Sequence, residues 1–119
     1  MFEDMLSLKK EFYEFAYPES YFTVIDLNLV NYGYWYIMTK DKVLTRRDGL
    51  LKRYPSRNLI PFARRDDNDD IACFEVGHGQ KVFIVHDFAS EGWERRQEYN
   101  SFWEWFMLAI KELVETGLE

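Results

Sequence analysis

The sequence predicts a single α+β domain over residues 1–119, a mostly antiparallel sheet with N-terminal and C-terminal helices packed on it. Three observations carry that expectation. Two β-rich runs, residues 71–76 and 81–87, flank a Gly77-His78-Gly79-Gln80 turn. The segment from Ser101 onward holds a continuous apolar stripe at helical spacing. The 119 residues are 47% hydrophobic and 30% charged, with neither a repeat nor a linker, which suits one soluble core.

The elements follow in chain order. Residues 2–15 read as an amphipathic helix, with Met5, Leu8, Phe12 and Phe15 on one face and Lys9, Lys10, Glu11 and Glu14 on the other. Pro18 stops it within a turn at 16–20. In residues 21–30, Ile25, Leu27 and Leu29 alternate with Asp26 and Asn28, the pattern of a half-buried strand, and 31–33 read as a turn. Residues 34–39 are a short apolar run that periodicity leaves open between a strand and a buried helical turn. Residues 40–53 have helical composition, and Pro55 ends them. Residues 58–63 read as a strand in which Pro61 requires an edge or a bulge, and 64–70 as a polar loop.

In the glycine-turn hairpin, Val82 and Ile84 oppose Phe83 and Val85, so the second strand is apolar on both faces and central. Residues 88–99 read as an exposed, charged connection. The last helix opens on a capping box of Ser101 and Glu104 and buries Phe102, Trp105, Phe106, Ala109, Ile110 and Leu113. Gly117 suits its C-terminal cap.

Composition narrows the function classes. No apolar run is long enough to span a membrane, and the start, Met1-Phe2-Glu3-Asp4, is acidic where a secretory signal is basic. Cys73 is the single cysteine, so the expected setting is the reducing cytoplasm, without an internal disulfide. The net charge of −6 argues against nucleic acid as primary ligand. That charge is unevenly placed. Residues 1–39 carry a net −4, residues 40–65 a net +7 and residues 66–119 a net −9. Two outcomes stay open: a field that steers a charged partner, or two blocks that neutralise each other in the fold.

The motifs with chemical potential are few. Asp66, Asp67, Asn68, Asp69 and Asp70 form an oxygen-rich run, but an EF-hand loop from Asp66 would need glycine at Ile71 and glutamate at Gly77. The run reads as a solvated turn, as a weak surface cation site or as an acidic epitope for a basic partner. His86 and Asp87 resemble the pair of metal-dependent phosphohydrolases, yet His78 is the only other histidine and the hairpin holds it roughly 20 Å away. Cys73, between Ala72 and Phe74, reads as a buried, inert thiol. No phosphate loop, HExxH or GxSxG pattern occurs, so neither catalytic residues, a metal nor a cofactor is expected. Trp93 lies in the charged connection among Glu91, Glu94 and Glu98, the setting of an interface anchor with a polar rim. Trp103 and Met107 fall off the core stripe of the last helix, either as a second apolar strip or packed under the 88–99 segment.

Several of these segments together resemble one family. Leu59-Ile60-Pro61-Phe62-Ala63, the Asp/Asn-rich turn, the strands at 71–76 and 82–86 and the aromatic helix opening on Ser101-Phe102 are similar to the SUKH superfamily, named after the yeast Smi/Knr regulators. Tyr17-Pro18-Glu19-Ser20-Tyr21 resembles its Leu-Pro-x-Ser-Tyr segment. The resemblance spans residues 58–110 most strongly. The chain departs from it by lacking much of the N-terminal helical region, by reading as strand after Tyr21 where many members continue as helix, and by lacking a clear Asn-Gly-Gly turn, as a short, divergent bacterial branch would.

The resemblance implies a non-enzymatic binding domain, in bacteria most often an immunity protein that neutralises a nuclease-type toxin. The expected mechanism is occlusion of a basic toxin domain by a chain that is monomeric when free. Asp66, Asp67, Asp69, Asp70, Glu91, Glu94 and Glu98 would supply the acidic surface and Trp93 the anchor. The alternatives are a regulatory or scaffold domain with a cellular partner, or a small metal-dependent hydrolase using His86 and Asp87.

Overall fold

A computed structural model describes residues 1–117. Six strands form one antiparallel sheet in simple sequence order: β1 (Asn31–Tyr32), β2 (Trp35–Ile37), β3 (Leu59–Arg65), β4 (Asp70–Glu75), β5 (Val82–His86) and β6 (Arg95–Tyr99). A 3-10 turn (Met5–Ser7), α1 (Leu8–Glu11) and α2 (Glu19–Asp26) precede the sheet, α3 (Lys40–Arg53) joins β2 to β3, and α4 (Phe102–Gly117) follows β6. The α+β class and the helices at both ends are as the sequence predicts. No described helix is long and apolar enough to cross a membrane.

Strand alternation sorts the core into two layers. On one face Phe62 and Phe74 stack with ring centroids 4.5 Å apart, and Tyr21 of α2 and Phe102 and Trp105 of α4 pack on them. Glu75, the next residue after Phe74, points to the opposite face, which α3 covers with buried Val43 and Leu50. Pro61 sits at a register shift between Pro61 and Ala63, so β3 absorbs the proline in a bulge while keeping a neighbour on each side. β5 lies between β4 and β6 and is buried on both faces, as its composition requires.

Several local expectations change. Asn31 and Tyr32, expected in a turn, form β1, and the turn follows at residues 33–34. Residues 21–30 are not a strand. Buried Tyr21, Phe22, Val24 and Ile25 follow helical spacing, whereas Leu27 and Leu29, two members of the alternating set, are exposed. The helix α2 ends in a Schellman closure. Asn28 takes a left-handed φ of 61°, its N–H donates to Ile25 O, and the Leu29 N–H donates to Val24 O at 2.8 Å. At the N-terminus the helical spacing yields only the 3-10 turn and α1, which bury Met5 and Leu8, and the chain then bends so that Phe15 stacks on Phe74.

The polar segment 64–70 is shorter than its composition implies, because β3 runs on to Arg65 and β4 begins at Asp70. Within 88–99, Arg95–Tyr99 is an edge strand. A half-exposed edge needs no apolar alternation, so its pattern is invisible in composition. Its charges and a register shift opposite Ile84 and Val85 discourage further pairing, and the opposite edge, β1, is only two residues long. In α4 the Ser101 Oγ accepts the Glu104 N–H at 3.1 Å.

The two layers are tied by a buried ion group. Asp87 is fully buried and accepts from Arg53 Nε at 2.6 Å, Arg53 Nη2 at 2.7 Å and Arg46 Nη1 at 2.9 Å. Burial alone would raise the Asp87 carboxyl. The bonds from Arg53, Arg46 and the Phe88 N–H outweigh it and hold the pKa below the ordinary carboxylate range. Gly49 makes room for this arrangement, since a Cβ there would lie 2.7 Å from Arg53 Nη2.

Two outcomes are expected in chemical unfolding. Asp87→Asn should cost about 3 kcal/mol, because it leaves guanidinium groups under the loop without their counter-charge. The wild-type carboxylate contribution is complete above about pH 4 and is lost as pH falls through its lowered folded pKa, so the variant should show a flatter acid limb. Gly49→Ala at an ordinary helix position would stabilise by about 1 kcal/mol. Here it should destabilise, because the guanidinium it displaces is fixed to Asp87.

Candidate partner-binding surface

Antiparallel pairing brings three connections to one end of the sheet. The Asp66 N–H donates to Tyr34 O at 2.8 Å, joining the β3–β4 turn to the β1–β2 turn. The Asp87 N–H donates to Asp69 O at 3.0 Å, joining the β5–β6 loop to the same group. This loop end presents Tyr34 and Phe88, which is 62% exposed; Trp93, 81% exposed, lies further along the β5–β6 connection, whose Gly92 and Glu94 share a cleft with Glu75, His78 and Phe83.

The residues expected to bind a partner divide in three. Asp66 and Asp69 are exposed at the loop end, Glu91 and Trp93 are exposed in the β5–β6 connection, and the three acids have no ion-pair partner among the described residues. Asp67 and Asp70 lie there too but serve the fold. Asp67 accepts from Arg65 at 2.7 and 3.0 Å, which lowers its pKa. Asp70 is only partly exposed, with Oδ1 3.0 Å from His86 Nδ1 and 3.4 Å from Arg96 Nε. Glu94 and Glu98 do not belong to this surface. Glu94 is buried and accepts from Arg57 Nη1 at 3.0 Å and from the Gly92 N–H at 2.7 Å. Glu98 opposes Phe83 within the strand ladder and lies 3.5 Å from both Lys81 and Arg95.

The basic block at 40–65 is spent largely inside the molecule. Arg46 and Arg53 hold Asp87, Arg57 holds Glu75 and Glu94, and Arg65 bridges Asp67 to Glu112 of α4. Of the two readings of the charge asymmetry, neutralisation therefore describes most of the basic block. Asp66 and Asp69 of the β3–β4 turn are among the acids left without an ion pair within the described residues.

His86 and Asp87 do not converge. Neighbours in an extended strand point to opposite faces, so His86 meets Asp70 on the α4 side while Asp87 meets the guanidinium groups of α3. Among the described residues no three His, Cys, Asp or Glu side chains are grouped to hold a metal ion. Cys73 is fully buried, and burial pushes its thiol pKa up, away from the reactive thiolate.

A groove of about 610 Å³ opens between α4 and the sheet, floored by Ile84 and Tyr99 and flanked by Asp70 and Glu112. Trp105 lines it, and its buried indole N–H has no acceptor among the described residues. Trp103 and Met107 are exposed on the outer side of α4 rather than covered by the 88–99 segment. Phe88 is the surface residue that composition missed. Nothing about a phenylalanine after Asp87 signals exposure, and only the backbone conformation reveals it.

Comparison with protein-family models, curated proteins and solved structures gave no match. The class defined here is an α+β domain with a loop-end surface of exposed acids and aromatics.

Removing surface and buried members of this region should separate cleanly in unfolding experiments. Trp93→Ala should change stability by less than about 0.5 kcal/mol. Arg57→Ala, which strands Glu75 and Glu94 without their counter-charge, should cost about 3 kcal/mol.

Proposed function

We propose that this chain is a SUKH-like, non-enzymatic binding domain acting in the cytoplasm as an immunity protein, occluding a basic, nuclease-type toxin. The observation that carries the reading is the loop end itself. Among the described residues Asp66 and Asp69 of the β3–β4 turn and Glu91 of the β5–β6 connection carry no ion pair, and Tyr34, Phe88 and Trp93 are exposed on the connected turns. A nuclease holds a polyanion and so presents a basic surface. Unpaired carboxylates attract such a surface over a Debye length, and an exposed aromatic supplies the apolar contact that keeps it. The reading is also supported by how the other ionisable groups are used. Asp87, Glu75 and Glu94 are committed to guanidinium groups, and Cys73 is sealed in the sheet.

The test is a tagged pull-down from lysate of the native host at low and high salt. A basic protein held at low salt and shed at high salt is the expected result. A neutral or acidic partner indifferent to salt would overturn the toxin reading in favour of a scaffold domain. With the basic partner in hand, combined Asp66→Lys, Asp69→Lys and Glu91→Lys should slow association at least about tenfold and flatten its salt dependence. These positions avoid Asp67 and Asp70, whose reversal would also break internal ion pairs.

A further inference from the structure

We propose that the pocket between α3 and the end of β3 binds a small phosphate monoester, whose dianion is held by Lys42, Arg46 and Arg64. The pocket has a volume of about 270 Å³ and is lined by these three cations together with Met38, Asp41 and Thr45. It shares no residue with the exposed acids and rings of the partner surface, so it stands independently of the binding reading above.

Two elements bring the cations together. Residues 41, 42, 45 and 46 share one side of the first turns of α3. Arg64 pairs with Tyr36 of β2 and Ile71 of β4, and its side chain rises from the sheet face that α3 covers. Buried Met38 adds an apolar wall, and its N–H donates to Phe62 O at 2.9 Å, which ties the β2–α3 corner to β3.

These cations lack counter-charge. Among the arginines of the chain, Arg64 alone has neither a hydrogen bond, an ion pair nor a ring contact within the described residues, although it is half-buried. Lys42 has no ion-pair partner there either. Arg46 gives one N–H to Asp87, which Arg53 already holds through two, and keeps its other donors. Lys42, Arg46, Arg53 and Arg64 thus stand against two carboxylates, Asp41 and Asp87. A guanidinium that loses hydration without a counter-ion is costly until an anion replaces the water.

The excess of two positive charges matches a phosphate monoester dianion rather than a single carboxylate, and the guanidinium forks match its oxygens. The pocket is at the small end of ligand sites, which suits a phosphoryl group on a short carbon chain. Asp41 and Thr45 are acceptors for hydroxyl groups of that chain. The protein as a whole carries −6, so a small anion is retained only where cations are gathered.

The test is calorimetric titration of the full chain at constant ionic strength with glycerol 3-phosphate, inorganic phosphate and acetate. Saturable binding of glycerol 3-phosphate, tighter than that of inorganic phosphate and absent with acetate, is the expected result. Arg64→Gln and Lys42→Ala should each weaken it at least about tenfold, the scale of one charge-assisted hydrogen bond. Lys52→Ala, exposed on α3 outside the pocket, should leave it unchanged. Without ligand, Arg64→Gln should melt within about 3 °C of the wild-type chain, since it removes an unpaired charge. A larger fall assigns Arg64 to the fold, and Lys42→Ala, at an exposed helix position, then decides the pocket. Tighter binding of inorganic phosphate overturns the monoester in favour of free phosphate, and equal binding of acetate overturns the choice of phosphate. Unchanged binding in Lys42→Ala or in well-folded Arg64→Gln, or no saturable binding by the wild-type chain, overturns the site.

Discussion

The buried carboxylate of Asp87 is the constraint on which the loop end of the molecule depends. It sits where β5 runs out, beneath the loop that leads to β6, and two guanidinium groups from α3 close on it. A buried charge of this kind is costly to desolvate and contributes only when its partners are complete. Four donors satisfy it: three N–H groups of Arg53 and Arg46, and the backbone of Phe88. The same residues therefore join helix to sheet and set the shape of the exposed loop.

This lock explains the fate of the basic segment. A block of net +7 placed between two acidic ones looks like a second binding surface in the linear sequence. In three dimensions α3 lies across the sheet face onto which Glu75 and the Asp87 carboxylate project, so Arg46, Arg53 and Arg57 meet acids far away in the chain. Arg65 reaches the other way, to Asp67 and to Glu112 of α4. Acids outnumber bases, so once these pairs are made the remainder is acidic. Asp66 and Asp69, in the β3–β4 turn, belong to that remainder.

Aromatic packing supplies the other half of the architecture. Phe62, Phe74, Phe102, Trp105 and Tyr21 form a connected set of stacked and edge-on rings across the sheet, α2 and α4. The 18% aromatic content is thus mostly core material, and the exposed rings stand out against it. Trp93 and Trp103 already stood apart from the core stripe in the sequence, whereas Phe88 is an exposed ring that composition alone could not separate from the rest.

By itself the sequence determined what depends on local pattern. The glycine turn between β4 and β5, the helix opened by Ser101, the edge or bulge that Pro61 requires and the two-faced burial of β5 all follow from residue types at fixed spacing. Of the candidate surface, the exposed run at 66–69 and Trp93 were legible for the same reason: polar turns and a tryptophan among acids have no core to join. The tertiary structure alone decided the rest. Residues 21–30 alternate like a strand, yet the helix wins because Tyr21, Phe22, Val24 and Ile25 can all be buried in that form, with Asn28 closing its end. Glu94 reads as surface charge and is buried because Arg57, distant in sequence, arrives to pair with it. Phe88 reads as nothing and is held out to solvent by a carboxylate whose partners lie more than a helix away. Periodicity records which way a side chain faces along its own segment, but which charge it meets there is set by the chain that folds back onto it.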